Sequence, residues 1–434
     1  MSKAKESEFI MKKYVVAFPG QGSQYSGMGK ELYHQYTIAR EIFDYASNVM
    51  AYDMPKLCFG DGVEQLSCME KIQSAILTYS VAAYRVLMQQ ADCQPEFLIG
   101  HSLGEITALV CAGVIKFKDA LKLTELRGQL MGSYLGDLGV MIAVMGLEIS
   151  EIQKICANIS TTDYIVEIAN YNSHEQIVLS GHKKAITCAI ECIDDLGGRV
   201  FPLNTGNPFH CSLMKPVVSP LLEMLSTFEY SDFTLPVISN TTAKPYENKN
   251  SVKEILSEQI INSVRWLQTI EYMIQQDIFT VVELGPQSVL RNLLMTNEDN
   301  VQAYSFDDKN DRQAIREIIM YLCNGLCRDN HTRIDLIQKC LSSFIAMRNY
   351  ANDKNSYDKN IVSSYMQLNA MLKTIIDEKW EVSFEQIKEV LDSLLTAMHT
   401  KGIPQKEQHD RMKYILYSSG YFDVFQEYTN SGVK

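Results

Sequence analysis

The chain has little that would suit it to nucleic acid, a bilayer or a metal ion. Its 434 residues hold 40 Lys and Arg against 52 Asp and Glu, a formal charge of −12. It therefore lacks the basic excess that neutralises a phosphate backbone or an anionic membrane surface. No apolar run approaches the roughly 20 residues a membrane span needs, and the charged start, Met1 to Lys13, has no apolar core of signal-peptide length. The eleven cysteines never form C-x-x-C; the closest pairs, Cys188/Cys192 and Cys323/Cys327, are four apart. Most are expected to be reduced, buried thiols, with no disulfide framework and no metal site. Neither G-x-x-x-x-G-K-[ST] nor G-x-G-x-x-G occurs after the first predicted strand, which excludes the P-loop and dinucleotide fingerprints there. The expectation is a soluble, cytoplasmic protein with no nucleic-acid or membrane partner.

What is present is globular composition, 46% hydrophobic and 21% charged, over a length that allows about two to four folding units. The charge is uneven. From His331 to Lys434 there are 13 basic and 13 acidic residues, so the whole −12 lies in residues 1–330. Two compositionally different parts are expected.

Tyr14 to Phe18 is an apolar, β-branched and aromatic run ending at Pro19-Gly20, which predicts a buried strand entering a turn. Helical patterns follow at Gly29–Val49 and Gln73–Gln90, then a strand at Phe97–Gly100 and a helix at Leu103–Ala112. This alternation predicts an α/β fold with a mostly parallel sheet. Between Gly139 and Leu203 the rhythm becomes β-α-β-β-α-β, the order of a ferredoxin-like unit. The main domain is expected to resume with strands at Val237–Asn240 and Val281–Leu284. After Asp307 nearly everything is helix-compatible, with breaks at Asn352–Asn355 and Gly402–Pro404. The expected organisation is a core of residues 1–138 and 207–306, an insert of 139–206 and a helical C-terminal extension of 307–434, with a binding cleft between core and insert.

Gly100-His-Ser-Leu-Gly104 fits G-x-S-x-G between a predicted strand and a predicted helix, the context in which that pattern forms a nucleophile elbow at Ser102. The helix start also offers the free N–H of Leu103 to a developing oxyanion. A serine hydroxyl needs a neighbouring base. Of eight histidines, His210 is the best candidate: alone it reads as an ordinary loop or core histidine, and its place in a polar Gly/Pro stretch where the insert returns to the core brings the two readings level. On composition, Gly20-Gln-Gly-Ser-Gln24 reads as a plain turn, and Arg127 by itself as a surface charge.

Phe18-Pro-Gly-Gln-Gly-Ser-Gln24, Gly100-His-Ser-Leu-Gly-Glu105, Arg127, Pro208-Phe-His-Cys211 and Glu283-Leu-Gly-Pro286 together closely resemble the malonyl-CoA:acyl carrier protein transacylases, from about Tyr14 to Leu294. The resemblance implies an α/β-hydrolase-like core with an inserted ferredoxin-like subdomain. It implies that Ser102 is acylated with His210 as its base, and that the side-chain carbonyl of Gln259 takes the place of a triad carboxylate. Gln21 and Leu103 would supply the oxyanion N–H groups, and Arg127 would grip the malonyl carboxylate. An aromatic at Phe209 goes with malonyl over methylmalonyl, because its ring fills the space of an α-methyl. His101, Asn170 and Asn172 would line the acyl pocket.

The reaction implied is ping-pong transfer from malonyl-CoA, a substrate rather than a cofactor, to the phosphopantetheine thiol of an acyl carrier protein, for fatty-acid or polyketide biosynthesis. No cofactor and no metal are implied. The rival activity is proofreading hydrolysis on the same fold, which Arg127 disfavours, since a hydrolase clearing alkyl chains gains nothing from a carboxylate clamp. The helical extension is not needed for transfer, and the reading leaves it as a surface for a synthase partner. Docking an acidic carrier to an acidic enzyme calls for a local basic patch, for which Lys116, Lys118, Lys183, Lys184 and Lys215 are candidates.

Overall fold

The computed structural model describes residues 13–428 apart from 61–68, 92–93, 134–138, 204–206, 298–300, 327–329, 348–349, 351–360, 379, 381, 420, 422–424 and 426–427. Asn204 to Gly206, at the end of the insert, and the expected break at Asn352–Asn355 lie outside the described residues. The chain divides into two compact units, one of Lys13–Gln90 with Gln94–Ile315, the other holding Arg316–Lys434. The division falls inside the helix Lys309–Leu326.

The larger unit contains two sheets. The first is parallel, in the order β2 (Leu98–Gly100), β1 (Tyr14–Phe18), β7 (Thr280–Glu283), β8 (Gln302–Ser305). β1 is buried at every residue, as expected of a central parallel strand with both faces covered. On one face Val15, Ala17, Ile99 and Val281 pack with Trp266 and Ile270. The expected strand at Val237–Asn240 is reduced to two isolated bridges, Val237 to Leu98 (parallel) and Ile238 to Pro245 (antiparallel). Its continuation is diverted because Asn240 gives its N–H to Glu105 and its carbonyl to Arg265. The edge strand β8 was not anticipated, since Gln302-Ala-Tyr-Ser305 is short and partly polar.

The second sheet is antiparallel, in the order β4 (Val166–Tyr171), β5 (Gln176–His182), β3 (Gly139–Met145), β6 (Arg199–Leu203). The helices Ile149–Ile159 and Lys183–Asp195 complete it. The period of two in β3 sorts its side chains: Ile142 and Val144 join the apolar core with Ile155, Ile168, Leu179 and Ile186, leaving Met141, Ala143 and Met145 for the opposite face. A bulge at Ile168/Asn170 and a bridge from Asn170 to Val264 tie β4 to the segment that follows Gln259.

The smaller unit is helical, with helices Asn330–Ala346, Ser363–Glu378, Phe384–Thr400 and Gln405–Ser418. Its own core includes Leu336, Phe344, Leu372, Leu391, Leu394 and Met412. The buried ammonium of Lys401 donates to the carbonyls of Phe344 and Met347, satisfying acceptors at the end of the first of these helices. Among the described residues no helix is long and apolar enough to cross a membrane. Of the free cysteines described, Cys58, Cys111, Cys156, Cys211 and Cys340 are buried and Cys188 and Cys192 exposed.

Candidate active site

Ser102 sits between β2 and the helix Leu103–Cys111, with φ 52° and ψ −107°. A non-glycine residue held there is strained, and the sharp reversal lifts its hydroxyl clear of both elements. Glycines make the turn feasible. A Cβ on Gly104 would meet the Phe18 carbonyl oxygen at 1.9 Å, and one on Gly20 the His101 carbonyl oxygen at 2.7 Å. The loop after β1 is thus pressed onto the elbow, carrying the Gly20–Gln21 peptide against the serine. Among the described residues, no backbone acceptor takes the N–H of Gln21 or of Leu103.

His210 also has positive φ, 57°. Its Nε2 lies 2.8 Å from the Ser102 Oγ, and its Nδ1 lies 3.0 Å from the backbone oxygen of Gln259. This corrects the expectation of a side-chain partner. The Gln259 side chain is occupied elsewhere: its Nε2 donates to the Ser102 carbonyl (2.9 Å) and Glu105 Oε2 (2.7 Å), and its Oε1 accepts from Arg127 (3.2 Å). The peptide carbonyl of Gln259 fixes the ring, so Nδ1 carries the hydrogen and Nε2 the lone pair that faces the serine. Burial, reinforced by the Arg127 charge, pushes the His210 pKa down to about 3.

Three further bonds fix the loop that carries His210. Glu167 on β4 accepts from the Ser212 N–H (2.7 Å) and hydroxyl (2.6 Å). The Cys211 thiol donates to the Pro208 carbonyl at 3.2 Å.

Arg127 is 3% exposed. Nη1 donates to Gln73 Oε1 (2.9 Å), and Nη2 donates to the Ser102 Oγ (3.0 Å) and to Gln259. Burial lowers its pKa to about 10, opposed by the nearby Glu105 carboxylate. It is a buried cation with neutral oxygens as partners, not the surface charge its position in the sequence suggests.

His101 Nε2 lies 3.0 Å from Asn172 Oδ1 and 3.4 Å from the Asn170 amide, with its ring 5.6 Å from that of Trp266. Burial lowers the His101 pKa. A cleft of about 370 Å³ runs past Gly20, Gln21 and His101 on the core to Met145, Asn172 and Gln176 on the second sheet. A second, more open hollow of about 610 Å³ borders His210 beside Ser212, Lys215 and Asn262. Phe209 is buried but is not among the residues lining the cleft. Of the lysines considered for a basic patch, Lys116 is ion-paired to Glu229 and Lys184 lies over the Tyr164 ring. Among the described residues no three His, Cys, Asp or Glu side chains are grouped to hold a metal ion.

Sequence reasoning missed Gln73, Asn240, Tyr246 and Glu167, and saw Glu105 only as the end of a motif. Asn240 brackets the elbow, accepting from the Ser102 N–H (2.7 Å) and donating to the Gly100 carbonyl (2.6 Å). Glu105, fully buried, takes Tyr246, Gln259 and the Asn240 N–H as donors. Burial raises its pKa, and these bonds oppose the shift.

Residues 14–309 match the acyl transferase domain. A malonyl CoA-acyl carrier protein transacylase of Bacillus subtilis is 34% identical over 403 residues, 92% of this chain and 99% of the relative. The protein of that name from Escherichia coli K12 is 36% identical over 310 residues, 71% of this chain and 100% of the relative. Among solved structures, FabD from Acinetobacter baumannii is similar with a TM-score of 0.68 and 33% identity, covering 71% of this chain and 98% of that one. A malonyl-transacylase solved with its type II polyketide synthase acyl-carrier protein has a TM-score of 0.68 and 34% identity, covering 71% and 100%. The 403-residue match is longer than the acyl transferase domain, so the likeness to the Bacillus relative extends beyond it.

Proposed function

This chain belongs to the malonyl-CoA:acyl carrier protein transacylase family, and from that premise we propose that the Ser102–His210 pair carries the family's reaction. The enzyme is an acyltransferase that moves a malonyl group from malonyl-CoA to the phosphopantetheine thiol of an acyl carrier protein, in fatty-acid or polyketide biosynthesis. The observation that carries the assignment to residues is the 2.8 Å contact between the Ser102 Oγ and a histidine nitrogen whose ring mate is tied to a peptide carbonyl.

In the first half-reaction Nε2 of His210 takes the Ser102 proton as Oγ attacks the thioester carbon. The N–H groups of Gln21 and Leu103 receive the oxyanion. Collapse breaks the carbon–sulfur bond, and the departing CoA thiolate takes the proton back from Nε2. In the second half the carrier thiol gives its proton to Nε2 and attacks the malonyl ester, and Ser102 leaves reprotonated. A peptide carbonyl orients the imidazole throughout without a buried negative charge beside it.

Arg127 binds the malonyl carboxylate by exchanging neutral oxygen acceptors for a charged one, a gain a guanidinium makes bidentately. An acetyl group offers no such exchange. The same feature speaks against hydrolysis of alkyl acyl groups, and the relatives bear transacylase names. His101 and Asn172, which border the cleft, are assigned to the acyl pocket together with Asn170, which is within 3.4 Å of His101; Phe209, buried outside the cleft lining, is assigned to selection at the α-carbon only through the resemblance. The core is assigned to 1–138 and 207–306, and the insert to 139–206. The 4-1-3-2 order of its strands and its two helices support a ferredoxin-like unit. The helical C-terminal extension, 307–434, is assigned no part in the chemistry. Separate incubation with malonyl-CoA and acetyl-CoA, followed by intact-mass measurement, tests the assignment; preferential acetylation would refute it.

A further inference from the structure

We propose that Glu105 is a positioning residue for acyl-group selection, its carboxylate fixing which way round the Gln259 amide lies and thereby holding the guanidinium of Arg127 in place. The inference rests on the reading that Arg127 receives the malonyl carboxylate, and concerns a residue that touches neither substrate nor reacting atoms.

The Gln259 amide bridges two buried charges. Its NH₂ faces Glu105 Oε2 at 2.7 Å and the Ser102 carbonyl at 2.9 Å, and its oxygen faces Arg127 Nη2 at 3.2 Å. Turned over, the amide would set its NH₂ against the guanidinium, donor to donor, and its oxygen against a carboxylate and a carbonyl, acceptor to acceptor. Both mismatches would be buried, where an unmade hydrogen bond costs most. An ionised Glu105 therefore permits one orientation only.

Burial raises the Glu105 pKa, and its hydrogen-bond donors oppose that rise by favouring the ionised form. Its partners are donors: the Tyr246 hydroxyl at 2.5 Å, the Gln259 NH₂, the Asn240 N–H at 3.2 Å and the Ser239 hydroxyl. It also lies in the first turn of the helix Leu103–Cys111, where the backbone dipole favours negative charge. Its separation from Arg127 by one amide has a consequence for selection. A carboxylate in direct contact would neutralise the guanidinium and compete with malonyl. One amide away, it offsets the buried positive charge and leaves the hydrogen-bonding edge to neutral acceptors that a substrate carboxylate displaces.

A neutral side chain at 105 weakens this control: Arg127 and the Ser102 carbonyl still favour the same orientation, but a glutamine there removes the charged acceptor and can offer the Gln259 oxygen a donor. The test compares kcat/KM for malonyl-CoA and acetyl-CoA in wild type, Glu105→Gln, Tyr246→Phe and Arg127→Ala, each confirmed folded by circular dichroism. In Glu105→Gln the malonyl-to-acetyl ratio is expected to fall about tenfold, the value of one misplaced buried hydrogen bond to a charged group. Tyr246→Phe, which keeps its ring and loosens the carboxylate, is expected to lower the ratio roughly threefold, and decides the matter if Glu105→Gln does not fold. Equal losses on both substrates, with the ratio unchanged, would make Glu105 purely structural and overturn the proposal. If Arg127→Ala also leaves the ratio unchanged, it is the clamp reading that has failed; if Arg127→Ala collapses the ratio while the other two variants do not, only the role of Glu105 falls.

Discussion

Arg127 donates from Nη2 to the Ser102 Oγ across 3.0 Å, so the buried guanidinium touches the nucleophile before any acyl group arrives. In the proposed mechanism, the cation that binds the malonyl carboxylate thus stands beside the atom that carries the acyl group. Arg127→Ala is expected to lower malonyl-CoA kcat/KM by about 10²-fold, close to 3 kcal/mol for two charge-assisted hydrogen bonds. Acetyl-CoA loading should rise or hold. Steady-state loading rates on the two thioesters check this, and equal losses on both would remove Arg127 from the clamp.

The same charge acts on the base. Burial first and Arg127 second hold the His210 pKa down to about 3, so the imidazole stays neutral through mildly acidic pH. Removing the cation favours the protonated ring and raises that pKa. The acid limb of the kcat/KM profile for acetyl-CoA should therefore move to higher pH in Arg127→Ala. A limb that stays in place, or moves down, would contradict the coupling.

Because the Gln259 peptide carbonyl orients His210, Gln259→Ala keeps the acceptor on Nδ1. The loading rate should fall by no more than about tenfold, against roughly 10³-fold for His210→Ala, which removes the general base itself. Single-turnover acylation separates the two, and equal losses would restore the side chain to the role that the sequence alone suggested.

Glu167 anchors the residue two places after His210 by a pair of hydrogen bonds to Ser212. Glu167→Ala should cost about 2 kcal/mol of stability, because two half-buried donors lose a charged acceptor. It should also lower kcat on both thioesters alike, because the base is less well held. A lowered thermal midpoint with unchanged kcat would limit Glu167 to stability.

The parts legible in the sequence are those fixed by local pattern. β1, the turn at Ser102 and the β-α-β-β-α-β order of elements between Gly139 and Leu203 are written in short apolar runs, glycines and turn residues, and these elements begin and end within a residue or two of their expected bounds. Illegible were contacts between residues far apart in the chain. Gln73 meets Arg127 across 54 positions and Tyr246 meets Glu105 across 141, with no local signature on either side. The choice between the side chain and the peptide of Gln259 was invisible for a different reason. It depends on what else competes for the amide, and Arg127 and Glu105 take it. Val237–Asn240 has the composition of a strand, but the side-chain carboxylate of Glu105 draws Asn240 out of the ladder.

In the proposed reaction Ser102 holds the malonyl group between two thiols. Intact-mass measurement after incubation with malonyl-CoA, followed by an acyl carrier protein bearing phosphopantetheine or by buffer alone, tests it most directly. Wild type should gain one malonyl group, keep it in buffer and lose it to the carrier, while Ser102→Ala gains none. Malonylation of Ser102→Ala, or loss of the group to buffer as fast as to the carrier, would contradict the account.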